Sequence, residues 1–224
     1  MELVESYTEQ IASLGAGGSH IIFIETIFDT LNARAAVYAY KTFFDEHLEV
    51  LKRPLPLFIS GTIIDAAGRT LSGQNTEAFY ISMTNAKPFC IGFNCALGAV
   101  QMQPFLQRLS KIANCNVHAY PNAGLPNAMG GYDETPAEFA KTVREFATEG
   151  FVNMLGGCCG TTPDFIKALA DAVEGLPRRV LPNNPPVTMF SGMTEFMFTS
   201  NIPFVNIGEP VNAATFLAVS HSKS

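Results

Sequence analysis

The hydrophobic residues of this chain alternate between two patterns, one with helical spacing and one made of short, continuous apolar runs. Val4, Tyr7 and Ile11 recur at helical spacing up to Gly15, and the apolar run 21–24 follows them. A run that is so short and apolar on both sides is typical of a parallel strand that is covered on both faces. The two patterns return in turn along most of the chain, which predicts an α/β fold.

The repeated patterns predict five strand–helix units. Strands are predicted at 21–24, 57–59, 89–93, around Val117 and at 151–155. Their spacing is that of a (β/α)8 barrel, although a doubly wound open sheet has the same alternation. Because five strands do not close a barrel of eight, we expect an incomplete (β/α)8 TIM barrel. Its interior is expected around Phe23, Phe58 and Phe93.

Two helix starts can be located from local residue types. Thr135, Pro136 and Glu138 stand in the order of a capping box with proline at the first helical position. Thr162-Pro163 opens the last predicted helix in a similar way. The buried stripe of that helix is predicted to consist of Ile166, Leu169 and Val173.

The composition changes after Gly175. The segment 177–186 contains four prolines, which is the composition of an extended linker. The apolar residues that follow have no clear periodicity. We therefore expect one domain at 1–176, a proline-rich linker at 177–203, and a segment 204–224 that is poorly structured and does not fold by itself.

Charge and hydropathy exclude several classes of function. The 224 residues are 47% hydrophobic and 15% charged, with a net charge of -6, and lysines and arginines do not cluster. This balance argues against a nucleic-acid groove or a surface for anionic membranes. The amino terminus lacks the features of a secretory signal, and no apolar run approaches the ~20 residues that span a bilayer. We therefore predict a soluble, cytoplasmic protein.

Polar residues are predicted just past the carboxyl ends of several strands, where barrel enzymes carry their chemistry. These positions are Glu25, Ser60, Asn94 with Cys95, and the run 156–159. His118 falls inside a predicted strand, so we expect it to be packed in the core and not to be reactive.

The cysteines carry the strongest chemical signal. Their number is odd, which argues against a disulfide framework. Cys158 and Cys159 are adjacent and framed by three glycines, so they form either a strained vicinal disulfide or two thiolate ligands of one soft metal. With Cys95 as the third ligand, an open fourth position would be typical of catalytic zinc. Alternatively, some of these cysteines are only small buried residues, as we expect for Cys90 and Cys115.

Two of these motifs resemble a known family. The segments 156–163 (GGCCGTTP) and 92–98 (GFNCALG) resemble the homocysteine methyltransferases. Further segments resemble the cobalamin-dependent methionine synthases within that family: 24–30, 60–63, 68–74 and 120–127. The segment 204–209 resembles the opening strand of their pterin-binding domain, although Pro210 replaces an arginine and the resemblance ends after Asn212.

The resemblance implies a zinc ion held by Cys95, Cys158 and Cys159, and homocysteine as the substrate. It implies that Glu25 receives the substrate ammonium group and that Asn94 lies at the substrate and zinc site. Alternatively, the Glu25 carboxylate could cap the next helix, but that role suits Asp29 better. The methyl donor would be methylcobalamin, held by a cobalamin-binding domain that this chain lacks.

The resemblance also sets the extent of the domain. Residues 1–176 would be the last five strand–helix units of the homocysteine-binding barrel, and 204–224 a truncated start of the pterin-binding domain. The first three units, with the glycine-rich turn for the substrate carboxylate, would be missing before residue 1 and would be partners of this chain. Two alternatives remain open, namely a methyltransferase with a sulfonium or betaine donor and a non-catalytic truncated fragment.

Overall fold

The computed structural model of the chain describes residues 2–47, 54–202 and 204–205. Helices and strands alternate in these residues. The helices are α1 Glu2–Ala16, α2 Thr30–Glu46, α3 Thr76–Thr84, α4 Ala99–Ile112, α5 Pro136–Thr148 and α6 Pro163–Val173. The strands are β1 Ile22–Ile27, β2 Leu57–Gly61, β3 Cys90–Gly98, β4 Asn116–Asn122, β5 Met154–Leu155, β6 Met189–Ser191 and β7 Glu195–Met197.

The first five strands form one parallel sheet in the order β1-β2-β3-β4-β5. Each strand therefore lies beside the next one in sequence, with a helix between them. A doubly wound sheet would reverse its strand order at a switch point, whereas a barrel wall does not. The predicted incomplete (β/α)8 barrel is confirmed, and β1 and β5 are the two edges of the described sheet.

The face of the sheet that carries the helices forms the main hydrophobic core. Ile59, Ile91 and Val117 are fully buried there, together with residues of the covering helices. Phe93 belongs to this face, because its ring lies 5.7 Å from that of Phe79 in α3. The prediction that Phe93 lies in the barrel interior is therefore wrong. It shares its side of β3 with Ile91, since side chains alternate along a strand.

The opposite face carries an aromatic cluster formed by Phe23, Phe58, His118 and Tyr120. The His118 ring lies 4.7 Å from Tyr120 and 5.4 Å from Phe23, measured between ring centroids. His118 is fully buried, and burial lowers the pKa of its imidazole to about 4. The expectation that His118 is packed in the core agrees with this environment.

Local helix signals agree with the sequence in two places and differ in one. Thr135 and Glu138 form the predicted capping box of α5, and the carboxylate of Asp29 accepts a hydrogen bond from the Leu31 N–H to cap α2. The predicted stripe of α6 is partly wrong, because Ile166 is 44% exposed while Phe165 is buried. Phe165 instead packs against α5, with its ring 5.4 Å from that of Phe139.

The predicted linker begins with a residue that is firmly attached to the barrel. Arg179 is 4% exposed, and its guanidinium donates to the main-chain oxygens of Ser110, Ala113 and Cys115 at 2.7, 2.7 and 2.9 Å. Its own carbonyl accepts from the side-chain amide of Asn153 at 2.9 Å. Packing against the sheet therefore extends beyond residue 176.

The second half of the predicted linker contains a β-hairpin that the sequence pattern did not indicate. Strands β6 and β7 are antiparallel, and their tip contacts the loop that follows β2. The Asn75 N–H donates to the carbonyl of Met193 at 2.9 Å, and Gln74 Nε2 donates to the carbonyl of Gly192 at 3.0 Å. Asn75 Nδ2 also donates to Glu195 at 2.7 Å.

Apart from residues 204–205, the predicted pterin-domain segment 204–224 lies outside the described residues. Among the helices of the described ranges, none is long and apolar enough to cross a membrane.

Candidate metal centre

The first cysteine of the site stands where β3 bends. Cys95 and Ala96 both have backbone φ angles in the left-handed region, at 63° and 58°, and the register with β4 shifts between Asn94 and Gly98. Residues in this region cost roughly 1–3 kcal/mol each and persist where the surroundings hold them. Asn94 and Cys95 therefore lie inside an irregular strand end. The sequence-based prediction that they lie past the strand is wrong.

The two adjacent cysteines follow β5 in a loop that runs beside the end of β4. The Cys158 N–H donates to the carbonyl of Pro121 at 2.9 Å, and the Cys159 N–H donates to Asn122 Oδ1 at 3.1 Å. In return, the Ala123 N–H donates to the carbonyl of Cys159 at 2.9 Å. These bonds fix the main chain on both sides of the two thiols.

Glycine is required around this loop because the neighbouring side chains leave no room. A Cβ atom at Gly156 would lie 2.7 Å from the Tyr120 ring, and one at Gly157 would lie 2.4 Å from Thr161. Gly160 has a φ of 81°, and a Cβ there would lie 2.5 Å from the ring of Tyr132. Tyr132 thus covers the loop, although nothing in the sequence pattern had singled it out.

The fold brings the three predicted thiols together. The Sγ atom of Cys159 lies 3.5 Å from that of Cys95 and 3.9 Å from that of Cys158, and all three lie within 4.8 Å of one another. Tetrahedral zinc with sulfur ligands at ≈ 2.3 Å requires sulfur–sulfur separations of about 3.8 Å. The arrangement therefore fits one metal ion, and the exposed position of Cys159 leaves one side of the cluster open.

The environment of Cys158 determines what a cation would have to displace. Burial, opposed by the Asn94 hydrogen bond and assisted by the nearby thiols of Cys95 and Cys159, raises the pKa of Cys158 to about 12. Without a positive charge, this thiol would stay protonated at neutral pH. Thiolates are the metal-binding form of cysteine, so a bound divalent cation would have to displace the proton.

The other two cysteines lie at the opposite end of the sheet. Cys90 begins β3 and Cys115 directly precedes β4, so both are near the amino ends of their strands. Burial raises the pKa of Cys90 to about 12 and that of Cys115 to about 11. In the described part of the chain, neither belongs to a group of possible metal ligands.

Asn94 connects β1, β2 and the cysteine loop. Its Oδ1 atom accepts hydrogen bonds from Ser60 Oγ at 2.7 Å and from the Thr26 N–H at 3.2 Å. Its Nδ2 atom donates to Thr26 Oγ1 at 2.9 Å and towards Cys158 Sγ at 3.8 Å. Ser60 lies inside β2 and Thr26 inside β1, so the prediction that Ser60 lies past its strand is wrong.

Glu25 directly precedes Thr26 and is likewise inside β1, not past its end. Its side chain is exposed and borders two cavities of about 190 and 300 Å³ along the edge of the sheet. The ion pairs in the described residues do not involve it. Asp29, and not Glu25, caps α2, which leaves the Glu25 carboxylate available at the rim.

Comparisons with known proteins agree with the fold described above. The chain is similar to the solved homocysteine methyltransferase MmuM from Escherichia coli, in its apo form, with 18% identity, a TM-score of 0.55, and coverage of 75% of this chain and 57% of that one. For the metallated form of MmuM, the identity is 18%, the TM-score 0.54, and the coverage 75% and 51%. These likenesses show a shared fold, and this chain spans little more than half the length of those proteins.

The match to a family is more specific than the likeness of fold. The model of the homocysteine S-methyltransferase family covers residues 1–173, which include the whole five-stranded sheet and all three clustered thiols. This chain therefore belongs to the homocysteine S-methyltransferase family.

Proposed function

We propose that this chain is the zinc-binding part of a cobalamin-dependent methionine synthase, with residues 1–176 as the last five strand–helix units of its homocysteine-binding domain and 204–224 as the truncated start of a pterin-binding domain. Cys95, Cys158 and Cys159 would hold zinc, and methylcobalamin would supply the methyl group that the sulfur of homocysteine accepts. The proposal includes the cytoplasmic location predicted from the sequence.

The observation that carries this proposal is the cluster of three thiols within 4.8 Å. Thiolate ligands select soft metals, and three protein ligands with an open side are typical of a catalytic zinc site. When bound, zinc would hold the sulfur of homocysteine as a thiolate at neutral pH, although a free thiol has a pKa of ≈ 8.5 and is mostly protonated there.

The protein groups around the cluster bind and orient the substrate. Glu25 offers an exposed carboxylate for the substrate ammonium group, next to cavities at the edge of β1. The sequence also suggests a substrate contact for Asn94, although that side chain is 1% exposed and all its polar atoms have partners inside the protein. The substrate ammonium group is therefore assigned to Glu25.

Methylcobalamin as the donor is supported by the segments 24–30, 60–63, 68–74 and 120–127, which resemble the methionine synthases. A sulfonium or betaine donor would use the same three cysteines. Incubating homocysteine and each class of donor with the purified chain, supplemented in trans with the three preceding strand–helix units of the family, distinguishes them, because only the true donor should give methionine. A truncated, non-catalytic fragment would bind zinc and use none of them.

The metal site can be tested directly by measuring the metal content of the purified chain with plasma emission spectroscopy. We expect one zinc per chain, and the loss of stoichiometric zinc in each of the variants Cys95→Ser, Cys158→Ser and Cys159→Ser. Cys90→Ser and Cys115→Ser are matched controls that should keep the metal. Loss of zinc in Cys115→Ser but not in Cys95→Ser would refute the assignment.

A further inference from the structure

The amide of Asn94 has an orientation that its neighbours determine. The main-chain N–H of Thr26 can only donate, so the Asn94 atom at 3.2 Å from it must be the oxygen. The nitrogen of the amide then faces Thr26 Oγ1 and Cys158 Sγ. Asn94 therefore presents a hydrogen-bond donor to the thiol cluster and turns its oxygen away from it.

Thr26 holds this arrangement through an unusual main-chain conformation. Its φ angle is 56°, in the left-handed region that β-branched residues rarely adopt. The register between β1 and β2 shifts at the same place, between Ile24 and Ile27. The twist directs both the N–H and the hydroxyl of Thr26 at the amide of Asn94. Strain of this kind, roughly 1–3 kcal/mol, concentrates at functional sites and persists only where the surroundings hold it.

Ser60 completes the arrangement from the neighbouring strand. Its side chain is fully buried, and its Oγ atom lies 2.7 Å from Asn94 Oδ1. The Asn94 oxygen thus has two donors, from β1 and β2, before any ligand is considered. If the amide were rotated by 180°, the Asn94 NH2 group would face the Thr26 N–H, and two donors facing each other repel.

We infer that Thr26 and Ser60 are positioning residues of the metal centre: they fix Asn94 so that its Nδ2 donates a hydrogen bond to the Cys158 thiolate. This inference rests on the proposed metal site. It assigns Asn94 a role towards a ligand sulfur, which differs from the substrate contact predicted from the sequence. Three thiolates around a divalent cation leave a net negative charge, and a donor aimed at one sulfur stabilises that charge.

The consequence is a measurable effect on metal binding. Partners that orient a metal ligand typically change metal affinity 10–100-fold when they are removed. Thr26→Val keeps the shape and the β-branch but loses the hydroxyl, so it should weaken metal retention about tenfold. Thr26→Ser keeps the hydroxyl and should restore it. Ser60→Ala removes the second anchor and should act in the same direction as Thr26→Val.

The chain offers a matched control for the valine substitution. Thr62 is fully buried just after β2, and its Oγ1 atom has no hydrogen-bond partner in the described structure. Thr62→Val therefore makes the same chemical change at a buried side chain that makes no hydrogen bond to Asn94. We expect Thr62→Val to retain metal as the unaltered chain does.

The experiment loads the full chain and each variant with cobalt(II), follows the sulfur-to-cobalt charge-transfer band, and measures metal retention against a competing chelator. Loss of the donor raises the energy of the sulfur electrons, so in Thr26→Val and Ser60→Ala the band should move to longer wavelength. A merely structural role would not move the band of a variant that stays folded and loaded. Circular dichroism checks folding, and Ser60→Ala decides the question if Thr26→Val does not fold.

The outcomes separate the two proposals. If the unaltered chain binds cobalt and both Thr26→Val and Ser60→Ala match it in band position and retention, the inference is overturned while the metal site stands. It is also overturned if Thr62→Val has the same effect as Thr26→Val. If the unaltered chain takes up no cobalt, the proposed function fails and the inference fails with it.

Discussion

Replacing Arg179 by alanine should destabilise the barrel fragment more than any other single change in the predicted linker. The guanidinium of Arg179 is buried at the end of α4, where the last carbonyls of the helix have no partner within the helix. It donates to the main-chain oxygens of Ser110, Ala113 and Cys115, at distances between 2.7 and 2.9 Å. It therefore joins the end of α4 to the start of β4.

The magnitude follows from those contacts. A hydrogen bond from a charged group contributes about 1.5–3 kcal/mol, and water that enters after truncation replaces part of it. With three short bonds lost, the free energy of unfolding should fall by about 3–5 kcal/mol, against a total of ~5–15 kcal/mol for a typical domain. Arg179→Lys keeps the charge but cannot reach three carbonyls at once, so its loss should be intermediate.

The assay is urea unfolding followed by circular dichroism on the full chain. Arg178→Ala is the matched control, because Arg178 is adjacent in sequence and exposed, and it should change the unfolding free energy by less than about 0.5 kcal/mol. If Arg179→Ala and Arg178→Ala unfolded at the same urea concentration, the segment 177–186 would be a free linker. That result would refute the reasoning above.

Burial holds the pKa of His118 at about 4, below its ordinary 6.5, so the unfolded state takes up a proton first as the pH falls. The free energy of unfolding should therefore decrease by roughly 3 kcal/mol as the pH falls between these two values. His118→Phe should flatten this dependence in unfolding experiments from pH 7 to 4. Thr135→Ala should cost about 1 kcal/mol by removing the cap of α5, and Thr142→Ala, in the middle of that helix, should cost less in the same melts. The chain alone should form little methionine from homocysteine and methylcobalamin, because β1 and β5 are unpaired edges of the described sheet. Adding the three preceding strand–helix units of the family in trans should raise the rate. Equal rates with and without that segment would contradict this last expectation.

The thiol cluster could be predicted from the sequence because its requirements are local. Three glycines around Cys158 and Cys159 leave few other uses for two adjacent thiols, and Cys95 follows the predicted strand 89–93 in the same pattern. Parallel strands bring such positions to one edge of a sheet, whatever the details of packing. Strand order brings the two segments to the same end of the sheet, and the bend at Cys95 together with the hydrogen bonds of the Cys158–Cys159 loop then brings the three sulfurs together.

Other features depend on contacts between distant segments, which periodicity does not report. Arg179 resembles any exposed arginine of a proline-rich stretch until the end of α4 is placed beside it. The strained Thr26 makes hydrogen bonds with Asn94, which lies two strands away. The strand ends were predicted too early for the same reason, since the bends at Thr26 and Cys95 are set by partners across the sheet.

The hairpin of β6 and β7 changes how segments beyond it relate to the thiol cluster. A flexible tether lets an attached segment explore a volume set by its length, and this volume determines the local concentration of that segment at a binding site. If the chain were free from Gly175 onward, the tether would begin on the surface of the barrel after α6. The contacts of Asn75 with Met193 and Glu195 instead fasten the chain beside the loop after β2. The chain leaves the hairpin at its other end, where the Phe198 N–H donates to the carbonyl of Thr188 and where Met189 and Met197 border a cavity with Ile112 and Asn114. Any segment that follows Phe198 is therefore tethered near the end of α4, at the end of the sheet opposite the thiol cluster.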